Sequence, residues 1–188
     1  MSGGPSGGDA GPTGAILADI LDRVDSWLKF AEGKNLAASA LTGTASAAVI
    51  GLLRGADAMP RAAVAAFGAA ELAFLAALAT AVWSFRPQGV PRLRPTRPRP
   101  GEPHDNLFYS GHLAAYTPDE LAAEVASRYG GMAGYDPSAH PLHTALAGQI
   151  VINAVITNAK LRAFNRASLL VLLGLALLAV GLVAELVR

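Results

Sequence analysis

Cysteine is absent from this chain of 188 residues, which excludes disulfides, thiol catalysis and thiolate metal sites and leaves the redox compartment open. Charge is scarce too: Asp, Glu, Lys and Arg make up 15% of the residues and aromatics 6%, against 52% hydrophobic. A soluble chain of this length carries more charge and less apolar side chain, so the excess must face something other than water. The net charge of +1 argues neither for nucleic acid nor for acidic substrates. What the chain has in quantity is alanine, leucine and valine, gathered in blocks. That distribution points to a bilayer.

Three blocks are long enough to span one. Residues 36–53 carry no formal charge but include Ser39, Thr42, Thr44 and Ser46, which makes this the weakest span. Residues 62–85 form a stronger one, interrupted by Glu71 and ending in Trp83 and Phe85, residues suited to a membrane interface. The link between the two, Arg54 to Arg61, is short enough for a tight turn, so they form a transmembrane hairpin. Residues 167–187 are the clearest span, with no charge before Glu185. The expected fold is therefore an all-α membrane protein, with an amphipathic amino-terminal helix, three transmembrane helices and a small helical region between the second and third.

Orientation follows from lysine and arginine. Twelve of them flank the spans on the side that holds the amino terminus and the 86–166 segment, and Arg54, Arg61 and Arg188 lie on the other. The positive-inside rule then puts the amino terminus and residues 86–166 in the cytoplasm, with the carboxy terminus outside. Residues 1–13, rich in Gly, Ser and Pro, read as a disordered tail. Over 14–35, Ile16, Leu17, Ile20, Leu21, Val24, Trp27, Leu28 and Ala31 recur at helical spacing among charged residues, an amphipathic helix. It has neither the basic start nor the unbroken apolar run of a signal peptide and is expected to be retained.

Residues 86–104 interleave six prolines with five arginines, which rules out a helix and predicts an extended basic strap. Each arginine near an anionic headgroup is worth about 1 kcal/mol. A cytoplasmic region follows, at 105–166. Thr117, Pro118, Asp119 and Glu120 spell a capping box with proline at the first helical position, and Gly130 and Gly131 stop that helix. A second helical pattern begins near Pro141 and meets no breaker until the third span has ended, predicting one long helix that rises out of the membrane.

On that helix Gln149, Asn153, Thr157 and Lys160 share one face. Amides read donors and acceptors on a base edge and an ammonium supplies a point charge for phosphate, so the stripe suits a small anionic ligand such as a nucleotide. It equally suits a solvated face. Asn106, Leu107, Phe108, Tyr109, Ser110, Gly111 and His112 form a second candidate: Phe108 or Tyr109 to stack on a flat ring, Gly111 to admit close backbone approach. The alternative is a turn packing its aromatics on the long helix. His140 and His143 have Pro141 between them and no carboxylate pair at ligand spacing, so no metal site is expected; Ser110, Gly111 and His112 lack a nucleophile elbow. An ionised Glu71 in mid-span costs several kcal/mol. It lines a conduction path or subunit seam, or it bonds Thr42, Thr44 or Ser46 as packing glue. Ser39, Gly43 and Ala47 form a small-residue face for close helix association.

In this order the pieces resemble the transmembrane effectors of the bacterial Pycsar antiphage systems, over nearly the whole chain after about Ala18. Three stretches carry the resemblance: Ala31, Glu32, Gly33 and Lys34 before the first span; Asn106 to His112; and Gln149 through Lys160 to Ala167. Asn35 and Ser110, where a small residue and an aromatic are frequent, and the proline-rich strap depart from the pattern and bear on which base is read. The resemblance implies a non-enzymatic effector that needs no cofactor. A partner cyclase makes cyclic CMP or cyclic UMP on infection. The ligand docks between the 106–112 segment and the Gln149 to Lys160 stripe with Lys34 near the phosphate, and a homo-oligomer impairs the inner membrane in an abortive infection. Two competing readings are a ligand-independent structural or holin-like protein and a membrane-bound hydrolase using His112.

Overall fold

The computed structural model describes residues 11–86 and 105–187. All but Arg86 of the expected strap, and the first ten residues of the expected tail, lie outside them. Among the described residues the fold is all-α: α1 (Gly11–Leu53), α2 (Arg61–Trp83), α3 (Ser110–Leu113), α4 (Pro118–Arg128) and α5 (Pro141–Leu186), with 3₁₀ turns at Ala56–Ala58 and Pro137–Ala139. Three of the helices, α1, α2 and α5, are long and apolar enough to cross a membrane.

The stretches read from the sequence as 14–35 and 36–53 lie on one helix, α1, which starts at Gly11 and passes through Gly33 without a break. A lone helical glycine costs only about 1 kcal/mol, too little to end a helix of this length. Likewise α5 continues unbroken for 46 residues. The described residues divide into two compact units, one drawn from 11–29 and 105–158, the other from 30–86 and 159–187.

In the first unit Leu17, Ile20 and Val24 of α1 are buried with Ala147, Ile150, Val151 and Ala154 of α5, each set at helical spacing. Leu107, Leu113 and Tyr116, with Leu121, Ala122 and Val125 of α4, complete this core. The start of α4 is fixed locally: Glu120 N–H donates to Thr117 Oγ1 at 3.3 Å, and Thr117 N–H donates to the Glu120 carboxylate at 2.9 Å. Its end closes when Met132 N–H reaches back to Ala126 C=O at 3.1 Å while Gly131 takes a φ of 65°.

In the second unit α2 and α5 pack antiparallel through rings seated on glycines. Phe74 lies against Gly174 and Phe67 against Gly181, with buried Ala81 and Ala167 together one heptad further along each helix. The seven-residue step on both helices keeps a single seam facing inward. With lipid tails as apolar as the side chains, such contacts hold helices together by close packing. A Cβ at Gly174 would sit 2.6 Å from Phe74 Cε1. Gly174→Ala is therefore expected to destabilise this unit by about 1–3 kcal/mol, through overpacking, in denaturing-detergent titrations. Gly51→Ala, where a Cβ meets nothing within 4 Å, should be neutral or stabilising by up to about 1 kcal/mol.

Candidate functional site

The 106–112 segment of the first unit is a turn that binds itself before anything else. Phe108 N–H donates to Asn106 Oδ1, and Asn106 N–H donates to His112 Nδ1, both at 2.9 Å. His112 Nδ1 is therefore the acceptor nitrogen, which assigns the ring proton to Nε2. Asp105 stands 3.7 Å from the same Nδ1. Tyr109 is 56% exposed and meets the His112 ring edge-on, 5.3 Å between centroids. Gly111 has its role here: a Cβ would strike the Tyr109 ring, 2.9 Å from Cζ. Phe108, half-buried, lies 6.0 Å from the Tyr129 ring and beneath the Arg23 guanidinium at 5.1 Å.

The turn is clamped to α5. Ser110 Oγ donates to Asn158 Oδ1 at 3.1 Å, and Asn158 Nδ2 donates to Ser110 C=O at 2.9 Å. Asn158 has no reading in the sequence and Arg23 only that of a helix charge, because only the folded chain gives them these partners. Along the predicted stripe Gln149 is exposed, Asn153 Nδ2 donates to Asp25 Oδ1 of α1 at 2.7 Å, and Thr157 is fully buried with its hydroxyl on Asn153 C=O. A solvated face, the bland alternative, describes Gln149 and not Thr157.

His140 and His143 stack with Tyr135, centroids 5.0–5.9 Å apart, and the Tyr135 hydroxyl is 3.0 Å from His143 Nδ1. Burial, then Asp119 and Asp136, push the Tyr135 hydroxyl pKa up. The Ser138 side-chain and backbone bonds hold Asp136 low.

Lys34 and Lys160 belong to the second unit. Lys34 Nζ lies 4.5 Å from the Phe30 ring centroid and 5.1 Å from that of Phe164, a cation–π contact with each. Lys160 is 7% exposed. Its ammonium is 3.2 Å from Glu32 Oε1 and 3.3 Å from Ser84 C=O, with the Phe85 ring at 5.7 Å. Asn35, fully buried, donates from Nδ2 to Ala31 C=O at 3.0 Å and to Lys160 C=O at 3.1 Å. Ser46 Oγ donates to Glu71 Oε1, one of the two roles open to that carboxyl, while Oε2 is buried with no hydrogen-bond partner among the described residues. Ser39 bonds its own helix, and on the same face a Cβ at Gly43 meets nothing within 4 Å and Ala47 is exposed.

Tyr116 donates to Asp105 Oδ2 at 2.9 Å, and Arg128 Nη1 donates to Asp105 C=O. Burial, with this carboxylate acceptor beside it, pushes the Tyr116 pKa up to about 12 from 10.0. The folded state keeps a proton that the unfolded chain gives up near 10, so the contribution is complete below pH 10 and is lost as pH rises toward 12. Ultraviolet titration of phenolate absorbance should find this late tyrosine, and Asp105→Asn should bring its midpoint down toward 10.

The model of the Pycsar effector protein domain matches residues 16–185 of the chain. No curated protein and no solved structure matches it.

Proposed function

The chain belongs to the Pycsar effector family, a multi-pass membrane effector of antiphage defence, and from that premise we propose that it is switched on by cyclic CMP or cyclic UMP and then breaches the inner membrane. A partner cyclase supplies the ligand. The protein itself catalyses nothing and uses no cofactor. The observation that carries this reading is α5, one unbroken helix that holds Gln149, Asn153, Thr157 and Lys160 and continues as the third span.

In the first unit Tyr109 offers an exposed ring for stacking, and Asn106, Phe108, Gly111 and His112 form the turn beneath it. Gln149 and Asn153 bring amides for a base edge. In the second unit Lys34 and Lys160 carry the charge that a phosphate needs. Thr157 and Lys160 are each buried, so the stripe is not simply a face that meets water. The amino terminus and residues 105–166 face the cytoplasm in this reading, supported by the twelve lysines and arginines on that side. Three helices enclose little space, so the active form is a homo-oligomer, and the open Ser39, Gly43 and Ala47 face is where a second copy approaches.

Purified protein in dye-loaded vesicles should leak on addition of cyclic CMP or cyclic UMP and stay tight with neither. Gln149→Ala and Lys160→Ala should each weaken nucleotide binding by about tenfold, the equivalent of about 1.4 kcal/mol. Binding without leakage would argue against a lesion, and leakage indifferent to both nucleotides would argue for the ligand-free reading.

A further inference from the structure

One residue ties together all three membrane helices of the second unit. Lys160, on α5, reaches Glu32 on α1 and the carbonyl of Ser84 at the end of α2, and its own carbonyl receives Asn35 from α1. Glu32 and Asn35 stand just before the first span, Ser84 lies in the last residues of the second, and Lys160 is seven residues before the third. The two partners of the ammonium differ in kind. Ser84 is 5% exposed, whereas the Glu32 side chain is 48% exposed. The carbonyl is an internal fixture, and the carboxylate is a partner that an anion arriving from water can replace.

Charge makes that replacement a one-for-one exchange. A carboxylate and a cyclic phosphodiester are both monoanions that accept hydrogen bonds from an ammonium. Leaving a buried lysine without a counter-ion is costly, so the amine keeps one partner or the other.

We propose that Glu32 is a built-in stand-in for the ligand's phosphate: in the resting protein it holds Lys160 and keeps α1 fastened to α5, and the phosphate displaces it. This clamp rests on the cyclic-nucleotide reading for its trigger, and its mechanical part can be tested without any nucleotide. Losing Glu32 frees α1 at the level of Lys160 and leaves Asn35 as the remaining link between the two helices at this residue.

The test uses the full chain in phosphatidylethanolamine–phosphatidylglycerol vesicles with trapped dye and no nucleotide. Glu32→Gln, which keeps the shape and removes the charge, is expected to leak about ten times faster than the parent, while Arg162→Gln, which removes an exposed charge of α5, stays as tight as the parent. Should Glu32→Gln fail to insert, Glu32→Asp keeps the charge but shortens the reach, and a smaller leak is expected from it. Inserted Glu32 variants as tight as the parent would overturn the clamp. If the parent ignores cyclic CMP and cyclic UMP while Glu32→Gln leaks, the ligand reading fails and the clamp stands. If the parent responds and Glu32→Gln is silent, the clamp fails and the ligand reading stands.

Discussion

Lipid is the solvent on which this structure depends. Leu72, Leu169 and Leu172 are 70%, 68% and 63% exposed, while alanine and glycine occupy much of the inward seam of the same helices. In water that arrangement is inside out; in a bilayer it costs nothing, because outward leucines meet acyl chains. The consequence is that apolar burial cannot hold these helices together. Close fit and a few polar bonds must do so, and the second unit has both: Phe67 and Phe74 seated on Gly181 and Gly174, Ser46 bonded to Glu71, and Lys160 bonded across three helices. A polar bond that carries so much of the association is also an efficient place to undo it.

The two long helices solve two packing problems in sequence. The first turns of α1 bury Leu17, Ile20 and Val24 in an ordinary amphipathic pattern, and beyond Leu36 the same helix shows leucine to lipid and keeps Ala38, Thr42, Ser46 and Val49 inward. α5 changes in the same way, from the buried Ala147, Ile150, Val151 and Ala154 to the inward Ala167 and Val171. Neither helix is interrupted where the pattern changes. Continuity of the chain is not in itself coupling; the proposed function needs a chemical difference between a resting and an occupied state.

Much of this was legible in the sequence where the determinants are local. The Thr117–Glu120 capping box, the Gly130–Gly131 stop and the absence of a breaker after Pro141 each act over a few residues, and each appears as read. The family too was readable, from three short stretches. What escaped depends on which distant residues meet. Gly174 and Gly181 look like ordinary membrane glycines until rings seven residues apart on α2 are laid against them. Glu32, Lys34, Asn35 and Lys160 were all noticed, but nothing in their spacing says that Lys160 pairs with Glu32 while Lys34 turns to Phe30 and Phe164. Arg23 reads in the sequence only as a charge of the amphipathic helix, and Asn158 has no reading at all, until Phe108 and Ser110 are placed beside them.

The central claim is that a signal read on the polar part of α5 acts in the membrane through that helix. Its most direct measurement is to break the rod and ask which half of the behaviour survives. Asn165→Pro interrupts the helix between Lys160 and the third span, at a cost of about 3 kcal/mol to an interior helical position. Titration of cyclic CMP and cyclic UMP beside dye release from vesicles should show binding within about twofold of the parent and leakage reduced to background. Undiminished nucleotide-driven leakage from the broken helix would contradict the account.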